Sequence, residues 1–143
     1  MIAAPFVQDY VFKVARKEKP KVIAIVDDDE LVRNSLQGLI SVVGVPTIAF
    51  ESAEDFLNSG EHRRTACLIT DIRLPGISGL ELQSRLNKDR CRIPIIFITA
   101  HGDEDMRMQA LRAGAVEFLT KPVDGKVLLH RVRAALDNER PLS

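Results

Sequence analysis

From residue 22 onward the chain alternates between two hydrophobic periods. Runs of consecutive apolar, mostly β-branched residues stand at 22–26 (VIAIV), 45–50 (VPTIAF), 66–70 (ACLIT), 93–98 (IPIIFI) and 115–119 (AVEFL). Four of them are nearly unbroken, the pattern of strands covered on both faces in a parallel sheet. Between the runs the period changes. Val32, Leu36, Leu39 or Ile40 and Val43 recur at helical spacing, Leu80, Leu82 and Leu86 lie in a third such segment, and Val127, Leu128, Val132, Ala135 and Leu136 in the last. Start signals precede these segments: Ser52 with Asp55 and Ser78 with Glu81 match the capping box, and Asp103 and Asp124 are good N-caps. Gly44 and Gly114 stand where helices should stop. Five strands alternating with five helices predict an α/β sandwich with right-handed crossovers.

Composition narrows the picture. A length of 143 residues against the usual ~150 per domain is one domain. The longest apolar run, the five residues Val22 to Val26, falls far short of the ~20 needed to span a membrane. The opening MIAAPFVQDYVFK puts acid and lysine where a signal peptide needs an apolar core. Twenty Lys and Arg balance twenty Asp and Glu, which excludes a whole-molecule field for nucleic acid or a membrane surface. Cys67 and Cys91 fit neither a metal spacing nor a disulfide framework and read as reduced thiols in or near core strands. A cytoplasmic domain is expected.

The neutral total hides a step. Residues 1–21 carry five bases and two acids, whereas residues 22–143 carry fifteen bases and eighteen acids. With Pro20 beside it, that step marks residues 1–20 as an N-terminal extension and 21–138 as the folded body. Residues 139–143 are then a tail or the start of a linker. Phe6, Tyr10 or Val11, and Val14 are spaced roughly as on a helix, so the extension is a short helix or a frayed arm.

Chemistry collects at the strand ends. In an open α/β sheet, ligands bind outside the carboxyl ends of the strands, where strand order reverses. The first strand ends in Asp27-Asp28-Asp29, the third in Asp71, the fourth in Thr99 and the fifth in Lys121-Pro122. If the order is 2-1-3-4-5, these ends line one crevice. Two carboxylates ~5 Å apart at an effective dielectric of ~20 repel by roughly 3 kcal/mol, so the cluster needs a hard cation or raised pKa values. Mg²⁺ suits it better than Ca²⁺, because Mg²⁺ keeps its waters and uses one or two carboxylates plus a phosphate oxygen. The nucleophile centred among these groups is the Asp71 carboxylate, which implies an acyl phosphate. FMN at the same switch point would have its phosphate repelled by the acids. Phosphate-binding GxxxxGK[ST] and GxGxxG loops and an HExxH motif do not occur. His62, His101 and His130 lie in unrelated contexts, with no elbow for a Ser-His-Asp or Cys-His arrangement.

The segments VIAIVDDDE, LITDIRLPGISGLEL, FITAHGD and AGAVEFLTKP resemble the receiver domain of two-component response regulators, from about Lys21 to about Asn138. TAHGD and SAEDFL are most similar to the FixJ-type subgroup. The resemblance implies the flavodoxin-like (βα)5 fold with the five-stranded parallel order 2-1-3-4-5 known for CheY. It implies Asp71 as phosphoacceptor, Asp28 as a direct Mg²⁺ ligand, Asp27 holding the ion through water, and Arg73 offering its backbone carbonyl. Lys121 would pair with Asp71 and then with the phosphate, and Thr99 would bond a phosphate oxygen after transfer. Phe118 would turn inward as Thr99 moves, and Lys121-Pro122 would be a cis peptide. The register of the acidic run favours Asp27 and Asp28, with Asp29 in the first helical turn.

Three further residues keep two readings each. His101 controls water attack on the phosphoaspartate or is a plain loop histidine. The Arg73 side chain tunes the same rate or is simply solvated. Leu31 falls off the apolar stripe of its helix and meets a kinase or packs at the core margin.

The function implied is a phosphorylation switch rather than a turnover enzyme. A sensor histidine kinase or phosphotransfer protein would be the donor. The output face would be the fourth helix, fifth strand and fifth helix, around residues 103–138, through which the chain could dimerise. ERPLS at 139–143 resembles a linker to a C-terminal DNA-binding domain controlling transcription; a stand-alone receiver acting by protein contact is the alternative. No membrane or nucleic-acid contact by this domain is expected. A Mg²⁺-dependent phosphohydrolase would normally place a second aspartate two residues after the nucleophile, where this chain has Arg73.

Overall fold

The computed structural model describes residues 20–100 and 102–138. Five strands, β1 (Val22–Val26), β2 (Thr47–Phe50), β3 (Thr65–Thr70), β4 (Ile95–Thr99) and β5 (Glu117–Thr120), alternate with five helices. These are α1 (Glu30–Ile40), α2 (Ala53–Ser59), α3 (Gly79–Lys88), α4 (Glu104–Arg112) and α5 (Gly125–Asn138). The strands form one parallel sheet in the order β2-β1-β3-β4-β5, as the resemblance implied. Pro20 apart, the expected extension over 1–20 lies outside the described residues, as do the tail at 139–143 and His101.

Alternation along the strands divides the core in two. Ile23, Ile25, Ile69, Ile96 and Ile98 pack under α1 and α5 against Leu36, Ile40, Leu128 and Val132. Ala24, Val26, Leu68 and Phe97 pack on the opposite face against Phe56 of α2, Leu82 and Leu86 of α3 and Ala110 of α4. β1, β3 and β4 are buried along their whole length, which is why their sequences read as continuous apolar runs.

Two prolines move strand boundaries inward. The runs at 45–50 and 93–98 begin pairing only at Thr47 and Ile95. Pro46 and Pro94 have no N–H to give, but their carbonyls accept from Ile23 N at 2.9 Å and Leu68 N at 2.9 Å. The fifth strand also starts late, because the Ala115 N–H is spent on the Ala110 carbonyl at 3.0 Å, closing the end of α4. Ser52, Ser78 and Asp103 cap α2, α3 and α4 through the amides of Asp55, Glu81 and Met106. Asp124 accepts from the amides of Lys126 and Val127 at the start of α5. Asp29 corrects the sequence reading: it precedes α1 as its N-cap, Oδ1 accepting from Leu31 N at 2.9 Å and Val32 N at 3.4 Å.

Candidate functional site

Four of the five strand ends, those of β1, β3, β4 and β5, deliver a group, and register decides which groups meet. Val26 and Thr70 are partners across β1 and β3, so the next residues, Asp27 and Asp71, leave the sheet side by side. The sheet pattern continues through them: Asp27 N–H donates to Phe50 O at 3.1 Å and Asp71 N–H to Val26 O at 3.1 Å. Both side chains are buried. Lys121 follows β5, and its own N–H donates to Thr99 O at 2.9 Å, tying the lysine to the end of β4. Lys121-Pro122 is cis, as expected.

The two aspartates are held in the same way. Asp27 Oδ1 accepts from Asp29 N at 2.9 Å, and Asp71 Oδ1 accepts from Arg73 N at 3.1 Å. The other oxygen of each accepts from Lys121 Nζ, at 3.0 Å from Asp27 Oδ2 and 2.9 Å from Asp71 Oδ2. One ammonium therefore bridges two buried carboxylates, while Asp28, next in sequence, stays exposed. Burial raises the Asp27 carboxyl above its ordinary range, against the pull of the Asp29 amide and Lys121. Burial also pulls the Lys121 ammonium down, but its hydrogen bonds to Asp71 and Asp27 outweigh this and raise it.

The remaining predicted residues lie on neighbouring elements. Thr99 is buried at the end of β4. Phe118 is buried in β5 and tilted against Phe97, ring centroids 6.4 Å apart. The backbone at Gly102 joins them: a Cβ there would lie 2.5 Å from the Phe118 ring and 2.9 Å from Thr99 Cγ2. The Arg73 side chain is exposed and, with Asp28, Ser78, Leu80 and Met106, lines a groove of about 520 Å³. Leu31 is 79% exposed at the start of α1.

Among the described residues no three His, Cys, Asp or Glu side chains are grouped so as to hold a metal ion by themselves. The donors present are the buried Asp27 and Asp71 carboxylates that share Lys121, with Asp28 exposed next in sequence, all of them hard oxygens. That fits a divalent ion that retains water and takes part of its shell from backbone and phosphate oxygens. No helix among the described residues is long and apolar enough to cross a membrane.

Sequence reasoning missed three supporting groups. Arg33 Nη1 donates to the Asp27 carbonyl at 2.8 Å; its only signal was a base at helical spacing after the acidic run. Glu54 Oε2 accepts from Ile77 N at 3.2 Å, which no local pattern announces. Gly79 is required by contact, since a Cβ there would run into the Asp71 carbonyl.

The family model for the response regulator receiver domain matches residues 23–133. Nodulation protein W of Bradyrhizobium diazoefficiens is 44% identical over 119 residues, covering 83% of this chain and 52% of that protein. Transcriptional regulatory protein FixJ of Rhizobium meliloti is 39% identical over 116 residues, covering 81% and 57%. The crystal structure of FixJ-N, 37% identical, superposes with a TM-score of 0.75 over 87% of this chain and 99% of that one. The chain spans about half the length of the curated relatives it matches. The match takes in nearly all of the parallel sheet and most of the sequence, and the chain belongs to the response regulator receiver domain family.

Proposed function

We propose that Asp71 accepts a phosphoryl group from the phosphohistidine of a sensor histidine kinase in a Mg²⁺-dependent reaction, and that the modified chain changes conformation to control an output. The observation that carries this reading is the Asp71 carboxylate itself. It is buried at the end of β3, oriented by the Arg73 amide, and bridged through Lys121 to a second buried aspartate. In the transfer an Asp71 oxygen bonds to phosphorus, the N–P bond of the phosphohistidine breaks, and the departing imidazole takes up a proton.

Receiver domains in general bind Mg²⁺ at an acidic pocket, and those of transcriptional response regulators are phosphorylation switches. Here Asp28 and Asp71 would hold the ion directly, Asp27 through water and Arg73 by its backbone carbonyl. Bound Mg²⁺ supplies charge neutralisation along the in-line path. Lys121 orients Asp71 before transfer and pairs with the new phosphate afterwards. Thr99 donates its hydroxyl to a phosphate oxygen, and Phe118 follows it inward, shifting an equilibrium between two states. Arg73 leaves the position two after the nucleophile without a carboxylic acid, which argues against a phosphohydrolase.

A domain charged by an ATP-dependent kinase works in the cytoplasm. Met108 in α4, Val116 just before β5 and Val127 in α5 are exposed apolar residues, which favours a phosphorylation-dependent homodimer through these elements. The longer relatives include transcriptional regulators, which supports control of transcription through a DNA-binding domain beyond this sequence.

Intact-mass measurement after treatment with acetyl phosphate tests the reading. One phosphoryl adduct is expected, requiring Mg²⁺ and absent from Asp71→Asn. Equal labelling of Asp71→Asn would overturn the acceptor assignment.

A further inference from the structure

We propose that Glu54, in the first turn of α2, is a positioning residue for the metal site: its carboxylate clamps the loop between β3 and α3 and so fixes the Arg73 carbonyl, a role that rests on the phosphoacceptor reading above. The loop begins after Asp71 and ends at Gly79, where α3 starts. Arg73 N–H donates to Asp71 Oδ1 and Gly79 N–H to Ile72 O, both local ties. Ile77 N–H instead leaves the loop and donates to Glu54 Oε2 at 3.2 Å. The loop backbone is shaped around that carboxylate. Gly76 adopts φ +76°, and a Cβ on it would run into Glu54 Oε2.

Apolar anchoring alone does not replace this bond. Leu74 is buried and Ile77 packs against the core, which sets the depth of the loop. Hydrophobic contact is non-directional, however, and does not fix the rotation of a peptide plane. A hydrogen bond does. Glu54 Oε1 is shut off from water with no hydrogen-bond partner, a costly state for a carboxylate oxygen. An apolar side chain at position 54 would avoid that cost but could not hold the Ile77 amide. The clamp therefore acts through the loop on a ligand that Glu54 does not itself touch.

The test compares the wild-type chain with Glu54→Ala and Glu54→Gln by two readouts, Mg²⁺ titration followed through loop amide shifts and hydrogen exchange at the Ile77 amide. Glu54→Ala is expected to raise the half-saturating Mg²⁺ concentration about three- to tenfold, near the lower edge of what outer-shell partners contribute. It should also speed exchange at Ile77 while leaving the amides of β1 and β3 protected. Glu54→Gln keeps an oxygen acceptor and is expected to stay within about twofold of wild type. Equal titrations for wild type and Glu54→Ala would overturn the role, as would Glu54→Gln failing as badly as Glu54→Ala. If Glu54→Ala does not fold, fast exchange at Ile77 in the wild type would overturn it. A wild type without any Mg²⁺ response would overturn the phosphoacceptor reading and this role together.

Discussion

The Lys121 ammonium lies 2.9 Å from Asp71 Oδ2 across a sequence separation of fifty residues. The same nitrogen lies 3.0 Å from Asp27 Oδ2, so a single cation serves two buried carboxylates. A shared cation cannot fully compensate both, and the arrangement holds charge in the crevice that a divalent ion would neutralise. Burying two carboxylates against one ammonium thus costs the fold some stability.

That tension predicts a pH-dependent gain from Asp27→Asn. The folded carboxyl of Asp27 is raised above its ordinary value of 3.8, chiefly by burial. A raised carboxyl means the fold holds the proton more tightly than the unfolded chain, so wild-type stability falls as pH climbs from 3.8 through the folded value. The substituted amide keeps an oxygen acceptor for Lys121 or the Asp29 amide and carries no charge. The variant should be more stable than wild type at neutral pH, by on the order of 1 kcal/mol, and the gain should shrink toward acid. The raised Lys121 value puts the loss of its own contribution above 10.5, outside this window. Urea denaturation across the acid-to-neutral range measures it; a variant less stable at neutral pH would contradict the argument.

Neighbouring aspartates should separate cleanly by role. Asp29→Ala removes the cap of α1 and should lower stability by about 1 kcal/mol with little change in the Mg²⁺ response. Asp28→Asn, at an exposed side chain, should change stability without metal by less than about 0.5 kcal/mol. It should nonetheless abolish most of the rise in melting temperature that Mg²⁺ confers on wild type, because that rise follows ligand occupancy. Thermal melts with and without Mg²⁺ on both variants decide it, and the reverse pattern would mean the register of the acidic run is wrong.

How much of this was legible in sequence depended on whether the determining contact was local. Fully buried β1, β3 and β4 announced themselves because both faces are apolar, and the capping serines and aspartates act within three residues of themselves. Asp27, Asp71 and Lys121 could be read as one site only through the topology that the family resemblance supplied. Strand ends failed at Pro46 and Pro94, where a missing N–H overrides an apolar run. Glu54 was invisible because its partner amide is twenty-three residues away, and a glutamate in a first helical turn normally signals nothing beyond helix formation. Asp29 was misplaced by one position because DDDE offers three candidates for a cap, and only backbone geometry selects among them.

Leu31 is 79% exposed directly after the first residue of α1, an apolar side chain left in water three residues after Asp28. Leu31→Asp should therefore leave stability within about 0.5 kcal/mol and leave labelling by acetyl phosphate unchanged. Transfer from a phosphorylated kinase should slow, by about tenfold if the side chain anchors that contact. The comparison of the two donors on one variant is the measurement. Equal rates from the kinase for wild type and variant would return Leu31 to a passive surface position.

Gly102 sits where Thr99 and Phe118 meet, and its missing side chain is a requirement of contact rather than of backbone angle. A Cβ there would approach Phe118 Cε1 to 2.5 Å and Thr99 Cγ2 to 2.9 Å, closer than packed carbon atoms tolerate. Phe118 is buried against Phe97, so its ring can yield only by leaving that contact. Gly102→Ala should lower stability by about 1–3 kcal/mol, the usual range for an overpacked site, and shift the Phe118 ring resonances of the unmodified chain. The Lys121–Asp71 pair does not involve this contact, so a single Mg²⁺-dependent adduct on Asp71 should still form. The further shift of Phe118 on phosphorylation should be blunted, because the ring is already displaced. Unchanged Phe118 resonances in the variant would mean that the loop, rather than the ring, gives way, and that Gly102 does not hold the aromatic residue in place.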